Sequence, residues 1–312
     1  MNKTDIVVVG ASNLDIYATS SAALVEADSN PGHVYTTPGG VGRNIAENLA
    51  RLGCRTQMLT ALGQDSFAEA IIANARDAKL DLSAALRLPH FSTSVYVCIN
   101  KPDGDIAVAV SAMDISQQIT PEYLSDCSGV LDDAPLIVTE TNLSQETLHA
   151  LWRQYRHKLC VDCVSTAKSV KLSPILDGLY CLKANRGEAA TVTGLPVTTV
   201  KEAELAAEKL HSSGVRYVII TLGEDGALVS DGREAVSMPL MPGVTRNTSG
   251  CGDAFFAGAI LALIKQPAAK QMLRNGLAMA RLCAAADMPV FQTLDLHMLT
   301  ETLQIYQGGS WQ

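Results

Sequence analysis

Asn247-Thr248-Ser249-Gly250-Cys251-Gly252-Asp253 runs directly into Ala254-Phe255-Phe256-Ala257-Gly258-Ala259-Ile260, so two glycines, two hydroxyl residues and a carboxylate stand where a loop becomes an apolar helix. The first backbone N–H groups of a helix have no partner inside it, and the helix dipole adds a partial positive charge, so an anion is favoured at such a junction. The glycines let the backbone approach that anion. An acid fixed at the same place would repel it unless the acid reacts with a neighbouring group, and Asp253 is therefore read as a general base. A buried helix of this kind needs strands to lie against, which sets the rest of the reading.

Strand-like apolar runs at 5–10, 55–62, 136–140, 158–162, 179–184 and 216–221 alternate with helical stretches at 41–52, 66–78 and 144–155, and helices at 251–265 and 268–286 lead to a short last helix before Gly308-Gly309. Such alternation predicts a mostly parallel sheet covered by helices on both faces, an α/β/α arrangement in one domain spanning 1–312. Two stretches break the pattern. A short strand at 33–37 and a hairpin of 92–100 and 105–111, turned by Lys101-Pro102-Asp103-Gly104, predict a small β-sheet projecting from the body, a lid built from segments about 14–38 and 92–112. An exposed sheet of this kind needs a partner surface, as a lid, a dimer interface or both.

Polar residues collect where the strands end. Asn13 and Asp15 alternate with apolar neighbours after the first strand and suit either one face of a site or an ordinary turn. Pro38-Gly39-Gly40-Val41-Gly42-Arg43-Asn44 opens a helix with three glycines, which is costly unless something comes close to the backbone. Asn185 and Glu188 have capping-box spacing, and Leu222-Gly223-Glu224-Asp225-Gly226 is either a ligand loop or a hairpin turn. Three glycine-rich junctions at one end of a parallel sheet are explained by two ligands, one of them anionic.

A net charge of -8 with no Lys/Arg run leaves no footprint for nucleic acid or an anionic membrane. No segment has the length of a signal peptide or membrane span, so a cytoplasmic protein is expected, and eight scattered cysteines suit a reducing compartment. Cys160-Val161-Asp162-Cys163 has redox-motif spacing, but residues three apart on a strand face opposite sides, so it reads as two core thiols. No G-x-x-x-x-G-K-[ST] loop, H-E-x-x-H or G-x-S-x-G element is present.

Gly39-Gly40 with Asn44, Asn185 with Glu188, the 221–226 loop and Asn247–Asp253 together resemble the ribokinase-like carbohydrate and nucleoside kinases, over essentially the whole chain. Segments 27–32, 38–44 and 113–116, Val164-Ser165 with Lys168, and Asn at 247 are most similar to the pseudouridine-kinase branch. The resemblance implies Mg²⁺-dependent transfer of the ATP γ-phosphate to the 5′-hydroxyl of pseudouridine. It implies Asp253 as base and the N–H groups of Gly250, Cys251 and Gly252 as an anion hole. Asn13, Asp15, Gly39, Gly40 and Asn44 would hold the ribose, and Ser29, Asn30 and Lys168 the base. Thr221, Gly223, Gly226, Asn185 and Asn275 would serve ATP, while Glu188 and Asn185 would organise Mg²⁺ through water. Asn247 stands where many members have an Asp that helps bind a monovalent cation, which leaves K⁺ activation open. Cys251, where members have a small Ala, predicts a thiol reactive beside the ATP site. Another sugar or nucleoside kinase of the fold and a non-catalytic nucleotide sensor are the alternatives. A homodimer through the lid is expected.

Overall fold

Alternate residues of the first strand feed two different cores. Ile6 and Val8 pack with Phe256, Ile260 and Leu273, whereas Val7 and Val9 pack with Leu148, Leu151 and Leu210. A strand buried on both faces needs a continuous apolar run, which Ile6-Val7-Val8-Val9 supplies.

The computed structural model describes residues 4–265 and 267–306, so the expected Gly308-Gly309 tail lies outside the described residues. The first half contains β1 (Ile6–Val9), β2 (Asn13–Ser20), β3 (Gly32–Gly39), α1 (Val41–Arg51), β4 (Thr56–Leu59), β5 (Ala61–Gly63), α2 (Ser66–Asp77), β6 (Leu86–Leu88), β7 (Ser94–Asn100), β8 (Ile106–Ala112), α3 (Pro121–Asp126), α4 (Ser128–Asp133), β9 (Leu136–Glu140) and α5 (Gln145–Tyr155). The second contains β10 (Leu159–Asp162), α6 (Thr166–Ser169), β11 (Cys181–Asn185), α7 (Arg186–Thr193), α8 (Val200–Ser212), β12 (Tyr217–Thr221), β13 (Ala227–Ser230), β14 (Ala235–Met238), α9 (Cys251–Lys265), α10 (Ala269–Ala285) and α11 (Leu296–Ile305).

The large sheet has the order β14-β13-β12-β11-β10-β9-β1-β4, parallel from β12 to β4 and antiparallel at β13 and β14. Its two faces carry the two cores, giving three layers. Cys160 lies in one core and Cys163 in the other, as strand geometry requires of residues three apart. Among the described residues, no group of three or more His, Cys, Asp and Glu could hold a metal directly, and no helix is long and apolar enough to cross a membrane.

A separate sheet of order β3-β2-β7-β8 comprises the segments that broke the α/β pattern. The expected strand at 55–62 is split. β4 ends at Leu59 in the large sheet, while β5 pairs with β6 elsewhere, the Leu86 amide donating to the Thr60 carbonyl that separates them. A continuous strand-like run cannot reveal a change of partner, because each half satisfies the strand pattern by itself.

Candidate active site

Because β9, β10, β11 and β12 run parallel, their last residues share one edge of the sheet. Register pairs Glu140 with Asp162, Asp162 with Lys183, and Asn185 with Thr221. Glu140, Asp162 and Lys183 have the same facing as Val138, Cys160 and Cys181, which belong to the core that contains α9. A row of three buried charges therefore faces the start of that helix. Asp253, in its first turn, is 9% exposed.

The carboxylate of Asp253 is reached from the other side of the site. Asn44, in the first turn of α1, donates through Nδ2 to Asp253 Oδ2 at 2.8 Å. Burial raises the Asp253 pKa to about 7; Asp162 and Glu140 push in the same direction, while Lys183 and the Asn44 hydrogen bond restrain the rise. The value suits a general base at neutral pH, where a substantial share is ionised and still basic. Burial disfavours charge on Lys183, but Asp162, Asp253 and Glu188 outweigh it and raise its pKa, so the side chain is a fixed cation. Its Nζ is 2.9 Å from Asp162 Oδ2, and a Cβ on Gly252 would come within 3.1 Å of it. Lys183 thus sits directly against the backbone of the 250–252 loop.

Gly250 has a φ of 78°, and a Cβ there would stand 2.3 Å from the Pro289 carbonyl, so this turn requires glycine twice over. The Cys251 N–H already makes a long, 3.3 Å bond to the Thr248 carbonyl. The Cys251 thiol is shifted down, mainly by a hydrogen bond from Cys283 and further by Arg281, against the opposing effects of burial and Asp253. Asn247 is turned into its own loop, its Oδ1 accepting from the Ser249 N–H at 2.9 Å.

On the other flank, Asn13 Nδ2 donates to Asp15 Oδ1. Burial raises the Asp15 carboxyl to about 6 against hydrogen bonds from Asn13 and Tyr17 and the charge of Arg43. A Cβ on Gly39 would stand 2.4 Å from Asp15 Oδ2, and one on Gly40 would meet the Ala11 carbonyl at 2.6 Å. These glycines admit the Asp15 carboxylate and the segment that follows β1. The Arg43 guanidinium, buried beside Glu47, donates to Asn44 Oδ1 at 3.1 Å and to the Pro38 carbonyl at 2.8 Å.

Beyond the 250–252 loop opens a cleft of about 540 Å³, lined by Thr221, Gly223, Gly226, Cys251, Gly252 and Arg281 among others. Gly223 has open space at its Cβ position, whereas a Cβ on Gly226 would stand 2.0 Å from the Met238 carbonyl, so Gly226 also serves the β12–β13 hairpin. Asn185 and Glu188 form a full capping box, and Asn185 Nδ2 also donates to Glu188 Oε1 at 2.7 Å.

Three expected residues lie apart from this cluster. Asn275 accepts from Gln271 Nε2 at 2.7 Å, and its carbonyl packs against Gly258; it does not line the cleft. Asn30 spends its amide on its own turn, accepting from the Val25 N–H at 2.8 Å and donating to the Val25 carbonyl at 2.9 Å. Ser29, exposed in the same turn, donates its N–H to Asp28. Lys168 does reach the site edge, where its Nζ donates to Asn142 Oδ1.

Glu140, Asp162 and Lys183 escaped the sequence reading. Glu140 is fully buried, accepting from the Ala11 N–H at 2.8 Å and the Asn142 N–H at 2.5 Å, and burial raises it to about 7. The available signal was a lone charge in each apolar run, Glu140 and Asp162 closing Leu136–Glu140 and Leu159–Asp162 and Lys183 interrupting Cys181–Asn185.

The profile of the pfkB family carbohydrate kinases matches residues 3–287. The chain belongs to the PfkB family. As a PfkB kinase it is a sugar or nucleoside phosphotransferase that binds ATP. It is 35% identical to the pseudouridine kinase of Escherichia coli K12 over 259 residues, covering 82% of each chain. It is 25% identical to the guanosine-inosine kinase of Exiguobacterium acetylicum, covering 90% of this chain and 93% of that one. The Arabidopsis thaliana ribokinase solved with ribose and ATP superposes with a TM-score of 0.88 at 22% identity, over 97% of this chain and 99% of that one. The fold is ribokinase-like.

Proposed function

We propose that this PfkB kinase transfers the γ-phosphate of ATP to the 5′-hydroxyl of pseudouridine, with Asp253 as the general base. The Asn44–Asp253 hydrogen bond carries the reading, because it joins the first turn of the acceptor-side helix to the first turn of the phosphate-side helix. Acceptor hydroxyl and phosphoryl group then meet at one point. The similarity to the E. coli pseudouridine kinase supports the choice of nucleoside.

In this reading Asn13, Asp15 and Asn44, with the backbone of Gly39 and Gly40, hold the ribose, and Lys168 lies at the base side. Asn44 engages one oxygen of Asp253, and the other takes the hydroxyl proton. The N–H groups of Gly250, Cys251 and Gly252 face the transferring phosphoryl group, the Cys251 N–H exchanging its long bond to Thr248 for the phosphate. Loss of one such preorganised donor costs about 3–4 kcal/mol, so the loop and the base contribute comparably. Thr221, Gly223 and Gly226 line the cleft for ATP, with Asn185 nearby and Asn275 supporting α9 from behind.

Mg²⁺ fits the donor set at Asn185 and Glu188. Both carry hard oxygens that accept one hydrogen bond each inside the capping box, and their remaining lone pairs would hold the waters of an ion that gives up its hydration reluctantly. The ion would neutralise phosphate charge, and Glu188 and Asn185 would hold its waters. The neutral Asn247 gives no charge to a K⁺ site. The small sheet acts as the lid and as the dimer contact of a single-domain kinase.

A coupled ADP-release assay with pseudouridine, uridine, inosine, ribose and fructose tests the substrate. Pseudouridine is expected to give the highest kcat/KM. A free sugar turned over far more efficiently would overturn the reading.

A further inference from the structure

The lid sheet has two unlike faces. In its register Asp15 pairs with Thr37 and Tyr96, and Tyr17 pairs with Tyr35 and Cys98, which places all six side chains on one face. The other face carries Ile16, Ala18, Val34, Val97, Ile99, Val108 and Val110 in the intervening positions. Asp15 marks the first face as the one that borders the active site, since Asn13 bonds to it and Gly39 closes over it.

On that face three tyrosines form one aromatic group. The Tyr17 and Tyr35 rings stack with centroids 5.1 Å apart and 21° between planes, and Tyr96 meets Tyr17 edge-on at 6.4 Å. They cover Cys98, which is 1% exposed, yet Tyr35 itself is 50% exposed. Tyrosines that only filled a core would not be left with an open ring surface beside a half-buried carboxylate. Tyr96 stands directly beside Asp15, and the Tyr17–Tyr35 stack lies two residues further along the strands, about 6.6 Å from the Asp15 position. That offset matches the reach from a ribose hydroxyl to the middle of an attached base.

We propose that the Tyr17–Tyr35–Tyr96 face of the lid is the surface against which the planar base of a nucleoside acceptor packs while Asp15 holds its ribose. The inference rests on the nucleoside reading above and adds to it the element that separates nucleosides from free sugars. A sugar bound at Asp15 would leave the rings uncovered, whereas a nucleoside buries them. Aromatic faces bind every base through its π-surface, so the platform gives affinity for the nucleoside class, and hydrogen bonds at the base edge select within it.

Tyr35→Leu and Tyr96→Leu are the first variants to measure, since both residues lie at the margin of the ring group and Tyr35 is half exposed. Steady-state KM values for pseudouridine, ribose and ATP are compared with wild type. Loss of a base–aromatic stack raises KM for pseudouridine about tenfold, with ribose and ATP within twofold. Saturation-transfer NMR on the wild-type enzyme supplies the second readout, independent of variant folding. Irradiation of aromatic protein protons is expected to saturate the base proton H6 more strongly than the ribose protons. Efficient use of pseudouridine with an unchanged KM in both variants, or with weak saturation at H6, overturns the platform and leaves the proposed function standing. Preference of the wild type for free ribose overturns both.

Discussion

At the scale of single residues, the catalytic reading depends on the ionisation of Asp253. Its pKa of about 7 is raised by burial, and the base must be ionised to accept a proton. The kcat/KM of the wild type is therefore expected to rise with pH and level off above about 7. Asp253→Asn is expected to cost roughly 10²–10⁴-fold in turnover while ATP binding, followed by calorimetry, is retained. Lys183 is the buried cation that restrains the shift, so Lys183→Met should move the acidic limb of the pH profile to higher values. The same change strands Asp162 in the sheet and should destabilise the fold by about 3–5 kcal/mol in urea titrations, as removal of one partner from a buried pair does. A limb unmoved in Lys183→Met would detach Lys183 from the base.

Asp253 was legible in the sequence because an acid beside glycines at a helix start is chemically odd. Lys183 was not, since a lysine in Cys181-Leu182-Lys183-Ala184-Asn185 reads equally well as a strand residue reaching solvent. Only the parallel register places it beside Asp162 and under Gly252. Asn30 shows the converse. Its residue type suits base recognition, but in a turn an Asn side chain bonds readily to its own backbone, and this one does.

At the scale of elements, α1 does more than offer glycines to a ligand. Arg43 can only donate hydrogen bonds, and an ionised Asp253 can only accept them, so the Asn44 amide between them has a single satisfactory orientation. Arg43 is itself held by Glu47, which is fully buried and also accepts from Arg51 Nε at 2.8 Å. Arg43→Leu should release the Asn44 amide and lower kcat roughly tenfold, a hydrogen bond to a charged group being worth about 1.5–3 kcal/mol. KM for ATP should not change. Pairing the change with Glu47→Leu removes the unpaired acid, and activity restored to wild type in the double variant would contradict a role in orienting Asn44. The helix itself was readable from the period of Val41, Ile45 and Leu49, and the hairpin from Asp103-Gly104. The partner change at Thr60 and the two short helices α3 and α4 were not, because six-residue helices carry too few periods to register.

At the scale of the whole molecule, the α/β/α layers follow from alternating apolar runs and were largely determined by pattern alone. The lid was legible as an interruption of that pattern, but its two faces emerge only from strand pairing. The face away from the active site exposes Val34 at 67%, Val108 at 51% and Val110 at 62%. A row of exposed β-branched residues at a sheet edge invites association, and a second copy of the lid is the occupant proposed here. Sedimentation velocity at micromolar concentration should give a dimer for the wild type and a monomer for the Val108→Asp/Val110→Asp variant; a monomeric wild type would refute the contact.

The central claim concerns which bond is made, and the product reports it directly. Incubation with ATP, Mg²⁺ and pseudouridine followed by phosphorus NMR should yield a phosphate monoester coupled to the two 5′ protons of the ribose. A phosphate coupled to any other ribose proton, or no ester from pseudouridine under conditions where ribose is phosphorylated, would contradict the account.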